Sequence, residues 1–153
     1  DPATAEAVVS EALSGRLVVV SMPALTASET ITRLVDFYPP HLQRQARYSI
    51  GQVLRGVIAQ RLLDRVDGRG RVPAVEVLVG TQKVSEAIAT GADEHAIEEL
   101  IREGEYHGMQ SFDQALLGLY QDMVISVRDA VAAATRPEEL RIAMQHSGMA
   151  AAY

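Results

Sequence analysis

Gly15-Arg16-Leu17-Val18-Val19-Val20-Ser21-Met22-Pro23 is the stretch on which the fold turns. Between the glycine and the proline lies a short, continuous run rich in valine, a residue that packs well on a pleated surface. Such a run predicts a strand buried on both faces. Upstream, Asp1 can cap free N–H groups and Pro2 presets φ for a first helical turn. Ala5, Val8, Val9, Ala12 and Leu13 then recur at helical spacing as far as Gly15, the expected stop. Helix, tight glycine and buried strand in succession predict an α/β layered fold.

Downstream, Thr26-Ala27-Ser28-Glu29 matches a capping box and opens a helix to about Phe37. Tyr38-Pro39-Pro40 ends it and starts another, with Leu42, Ala46, Ile50 and Val53 on one face. Two apolar runs follow, Leu54 to Leu63 and Val72 to Val79, separated by the turn Asp67-Gly68-Arg69-Gly70, and they predict a hairpin. Pro73 assigns the start of the second run to an edge or bulge position. From Thr81 onward the pattern is helical only, punctuated by Gly91 and Gly104. Ser111-Phe112-Asp113-Gln114 is a second capping box, Ser126 caps a helix to Ala134, and Pro137 starts a last one to about Gln145. The expected division is 1–80 as the α/β part, 81–148 as a helical subdomain, and 149–153 as a frayed tail.

Composition excludes several functions. The chain has 153 residues, no cysteine and a formal net charge of -6, so it has neither a disulfide framework nor a thiolate metal site. Its 14 Lys and Arg are scattered and outnumbered, and with two Phe and five Tyr it lacks the basic, aromatic surface that nucleic acid requires. No apolar run approaches the roughly 18 residues of a membrane span. His41, His95, His107 and His146 share no ligand spacing, so no metal site is expected. Asp93, Glu94, Glu98, Glu99 and Glu103 form an acidic face, by default a solvated one.

The sharpest block is Gly108-Met109-Gln110-Ser111-Phe112-Asp113, which resembles the G-M-Q-(T/S)-(L/F)-D segment near the C terminus of pilus retraction ATPases. Gly15 to Val20 resembles the family's G-H-L-V strand, and Thr30 to Pro39 its T-I-D-R-(I/V)-V-D-x-F-P stretch. Leu54 to Leu63 resembles L-x-(G/A)-V-(I/V)-(S/A)-Q-x-L, and Glu76 to Thr81 resembles E-(I/V)-x-(I/V)-x-T. The blocks are colinear and span nearly the whole chain. They are similar to those of the PilT-like type IV pilus retraction ATPases, within the type II/IV secretion ATPase superfamily. Extension enzymes of that superfamily usually carry a four-cysteine zinc site, and its absence here favours the retraction branch.

The resemblance implies the C-terminal part of a RecA-like P-loop ATPase domain, with a buried strand plus β-hairpin and flanking helices, followed by an all-helical C-terminal subdomain. It implies a hexameric motor using ATP and Mg2+ to power pilus retraction and twitching motility. That motor would be cytoplasmic, at the inner face of the membrane but not inserted in it. Its partners would be copies of itself, sibling motor ATPases and an inner-membrane pilus platform protein. No G-x-x-x-x-G-K-[ST] occurs here, so Walker A lies outside the chain, and Asp1 aligns just after the Walker B acid. The chain by itself is therefore expected to be inactive and to hold no cofactor.

Two motifs depart from the family pattern. The His-Thr of the histidine box aligns with Pro23-Ala24, and the histidine after the glycine is Arg16. Proline has no side-chain donor, so it cannot replace an imidazole. The A-I-R-N-L-I-R-E retraction motif is aligned with Lys83 to Thr90, where Val84-Ser85-Glu86-Ala87-Ile88-Ala89 keeps the apolar spacing only. Ser21 and Gln60 are the candidates for the nucleotide side of the sheet. Their plainer readings are a strand-end hydroxyl and a buried amide tied to backbone. Arg33 and Asp36, at i and i+3, are either a surface ion pair or a subunit interface. Gly108, Met109 and Gln110 give the Ser111 helix a tight backbone start, with Met109 as core filler. Three functions compete: an ATP-driven motor, a non-catalytic or degenerate ring subunit of the pilus or type II secretion machinery, and a helical interaction domain unrelated to nucleotide.

Overall fold

The Asp1 carboxylate accepts the Thr4 N–H at 3.0 Å and opens α1, Pro2–Leu13. In the computed structural model, which describes residues 1–147, α1 ends as the glycine predicts. Gly15 takes φ +90°, its N–H donates to the Ala12 carbonyl and the Arg16 N–H donates to the Glu11 carbonyl. This paired motif satisfies carbonyls that the helix end leaves free. There follow α2 (Ala27–Asp36), α3 (Gln43–Val53), β1 (Gly56–Asp64), β2 (Arg71–Val79), α4 (Gln82–Thr90) and α5 (Glu94–Glu103). A short 3-10 turn, Gly104–His107, precedes α6 (Phe112–Gln121), α7 (Val127–Ala133) and α8 (Pro137–His146). The expected tail at 149–153 lies outside the described residues.

The predicted buried strand is not formed. Residues 16–24 carry no regular secondary structure, and Leu17 and Val19 are 86% and 88% exposed. A central strand obtains its ladder from neighbouring strands and its two covering layers from the helices packed on the sheet. Among the described residues no strand pairs with this segment, and the only sheet is β1 with β2. Apolar composition created the expectation; the absence of a pairing edge overturned it.

The hairpin forms as predicted. Arg65 N–H to the Gly70 carbonyl and Gly80 N–H to the Arg55 carbonyl close its two ends, at 3.0 and 2.9 Å. That antiparallel register places Pro73 opposite Leu62, at a position whose amide would point away from the partner strand. Proline therefore costs no ladder bond there. Period-2 alternation turns Val57, Ala59, Leu63, Ala74, Glu76 and Leu78 to the buried side, while Ile58 and Leu62 stay exposed. At the turn, the Asp67 carboxylate accepts both the Arg65 guanidinium (2.7 and 3.0 Å) and the Arg69 N–H (3.0 Å).

The Arg65 hydrogen bonds, then the Arg69 N–H, lower the Asp67 pKa from 3.8 to about 2. A depressed carboxylate contributes its stabilisation above the unfolded value and loses it as pH falls through the folded one. The turn should therefore stay closed at pH 5 and open only as pH drops from about 4 through about 2. The Arg69 amide proton, followed by NMR, should titrate with a midpoint near 2. A midpoint at the ordinary carboxylate value would show that the Arg65 fork is absent in solution.

The chain forms two compact units. The first takes Asp1–Ala59 with Val77–Met109, and the second takes Gln60–Glu76 with the described residues from Gln110 to Ser147. This partition is discontinuous, whereas the expected boundary is a single one, near Gly80 or Gly91. In the first unit, α3 packs on α1, α2 and α4, while α5 packs on α2 and α4. Val9, Ile31, Val35, Ile50, Val57, Leu78, Val84, Ile88, Ile97, Ile101 and Met109 fill its core. Tyr38 ties α1 in through a hydroxyl that donates to the Ala5 carbonyl at 3.2 Å, and burial raises its pKa. At Gly51 the close approach leaves no room for a side chain: a Cβ there would sit 2.7 Å from the Ser85 carbonyl oxygen. In the second unit α6, α7 and α8 pack on one another, with Phe112, Leu116, Ile125, Ala130, Leu140 and Met144 buried.

Candidate functional site

The Gly108–Asp113 block is the part of the candidate set that the structure builds most completely. Gly108 ends the 3-10 turn at φ +79°, a conformation in which a Cβ is strained, and reverses the chain. Met109 is then 5% exposed and packs so closely on Gly104 that a Cβ at Gly104 would meet its sulfur at 2.5 Å. The boundary between the two units falls directly after it. Gln110 donates from Nε2 to the Val75 carbonyl of β2 at 2.8 Å. Ser111 and Gln114 form the complete capping box: the Ser111 hydroxyl accepts the Gln114 N–H and the Gln114 side chain accepts the Ser111 N–H.

Asp113 does something that capping logic does not anticipate. Its two carboxylate oxygens accept the Thr135 and Arg136 N–H groups at 2.8 and 2.9 Å. It thereby pins the link between α7 and α8 to the first turn of α6, where the helix dipole also favours an anion. The polar residues of the block are thus occupied in holding backbone. Asp113→Ala should destabilise the second unit by about 1–2 kcal/mol, with Asp113→Asn milder because one acceptor survives. Urea denaturation of both variants checks this, and equal midpoints for Asp113→Ala and the parent would refute the clasp.

Arg61 was not singled out from sequence. Its guanidinium carbon lies 4.2 Å above the Phe112 ring centroid and its Nη1 donates to the Ala133 carbonyl at 2.7 Å, at the C-terminal end of α7. Its Nε is buried without a hydrogen-bond partner. A signal did exist: Val57, Ala59, Arg61 and Leu63 share one face by period 2, which places a cation on the buried side of an apolar strand.

The remaining candidates are dispersed. Asp1 is occupied as the α1 cap, where it also accepts the Thr4 hydroxyl, and Arg16 pairs with Glu11. Ser21 and Pro23 are exposed and Ala24 half-buried on the irregular stretch before α2. Gln60 lies on the exposed face of β1, so its reading as a buried amide is corrected: alternation turns it outward. The Arg33–Asp36 pair is also corrected. Arg33 binds Glu29, with Nε and Nη2 at 2.8 and 2.7 Å from Oε1, because i and i+4 align better on a helix than i and i+3 do here. The Leu25 N–H, then Arg33, hold the Glu29 carboxyl below its ordinary pKa. Asp36 instead lines a cavity of about 80 Å3 in the first unit, together with Ser28, Thr32, Arg47 and Glu94. Its small size and mixed charge select no ligand class. No Walker A sequence occurs in the chain, and Ser21 is exposed.

The retraction motif needs realignment. Against A-I-R-N-L-I-R-E, the stretch Lys83 to Thr90 retains only the isoleucine at Ile88. Ala96-Ile97-Glu98-Glu99-Leu100-Ile101-Arg102-Glu103 departs only at Glu98 and Glu99. This second stretch is α5, with Ile97 and Ile101 buried. In α4, Val84 and Ile88 face the core, Ser85 meets Gly51, and exposed Glu86 accepts the Gln82 amide at 2.9 Å. Ala87 and Ala89 are half-buried. Apolar spacing alone suited both helices; side-chain identity separates them.

No family model matches the chain. It is 32% identical over 139 residues to the type IV pilus ATPase PilU of Pseudomonas aeruginosa, covering 91% of this chain and 36% of that protein. It is 30% identical over 140 residues to a twitching motility protein of Neisseria gonorrhoeae, covering 92% and 37%. The chain thus spans little more than a third of the length of these relatives. Among solved structures it resembles the pilus retraction motor PilT with bound ADP, at a TM-score of 0.77 and 33% identity, over 93% of this chain and 39% of that one.

Proposed function

Since the chain belongs to the PilT-like family of type IV pilus ATPases, we propose that it is the distal part of a motor ATPase that powers pilus retraction and twitching motility by hydrolysing ATP. The observation that carries this reading is the colinear similarity over about nine-tenths of the chain to pilus ATPases, in sequence and in fold. In this reading ATP and Mg2+ are held by a P-loop half outside these residues, and the parent works as a hexameric ring on the cytoplasmic side of the inner membrane. Copies of itself, sibling motors and a pilus platform protein are its partners. Residues 17–22 complete a parallel sheet in that setting, which accounts for a β-branched run that has no ladder here.

One observation favours a second reading, a degenerate ring subunit: Pro23-Ala24 stands where the family has His-Thr. The α5 realignment weakens that case, since the retraction motif departs at Glu98 and Glu99 only. ATP hydrolysis by a polypeptide that includes the P-loop half decides between them. The motor reading expects measurable turnover, raised by about 10²-fold, the lower range for a positioned proton donor, when Pro23-Ala24 is changed to His-Thr. The 153-residue chain alone should hydrolyse none. Absence of turnover in the parent would overturn the motor reading in favour of the subunit reading, whether or not the His-Thr form is active.

A further inference from the structure

We draw no further inference here: the strongest candidate, the uncovered apolar stretch from Leu17 to Met22 between the first two helices, carries nothing because nothing in the structure shows what covers it.

Discussion

Phe112→Ala should cost the second unit about 3–5 kcal/mol, the largest loss expected from a single side-chain truncation in this chain. Phe112 is 1% exposed and is the largest of the fully buried side chains among the described residues. Truncation removes its transfer free energy and leaves a cavity that the surrounding helices close only in part. It also strips the ring from beneath Arg61, whose Nε is already buried without a hydrogen-bond partner. The ring face is the guanidinium's electrostatic counterpart there. Phe112→Leu, nearer in volume, should cost about 1.5 kcal/mol or less. Urea midpoints measure both, and a double-mutant cycle with Arg61→Leu isolates the ring–cation part at about 0.5–2 kcal/mol. If Phe112→Ala lost under about 1 kcal/mol, the packing of α6 against its neighbours would be wrong.

Gly80→Ala should be the most damaging conservative change in the first unit, at about 3 kcal/mol, the upper end for overpacking. A Cβ at Gly80 would fall inside contact distance of the Leu54 carbonyl oxygen and 3.2 Å from the Arg55 Cα. Both obstacles are backbone, so no rotamer change relieves them. Relief requires the strands to part where the Gly80 N–H reaches the Arg55 carbonyl. Amide exchange should show this locally, with protection at Gly80 falling more than at Ile97 in α5. Gly118→Ala is the control: a Cβ there meets nothing within 4 Å, and a helical Gly→Ala change is mildly stabilising. Equal stability of the Gly80 and Gly118 variants would show that the hairpin's open end is looser than described.

Legibility tracked the distance between interacting groups along the chain. Asp1, Thr26, Ser111 and Ser126 were read as caps, and each accepts an N–H three residues on. The Asp67–Gly70 turn, the hairpin on either side of it and the Pro137 helix start were legible for the same reason. Arg33 was read with the wrong partner even at short range, because i, i+3 and i, i+4 geometries compete and rotamers decide between them. The retraction motif was misplaced for a different cause: amphipathic spacing is common to α4 and α5, and only the identities at Ala96, Ile97, Leu100, Arg102 and Glu103 discriminate.

By itself, the amino-acid sequence determined where helices begin and stop, where the hairpin turns, and the kinship carried by Gly108–Asp113. Those features depend on hydrogen bonds and φ preferences within a few residues, or on side-chain identity alone. Tertiary structure decided that Leu17–Met22 remains unladdered, that Gln60 faces outward, that Arg61 stacks on Phe112, and that Asp113 reaches Thr135 and Arg136. The physical reason is that β pairing, burial and long-range capping are supplied by groups tens of residues away. Whether those partners arrive depends on how the chain packs, not on the composition of the segment that awaits them.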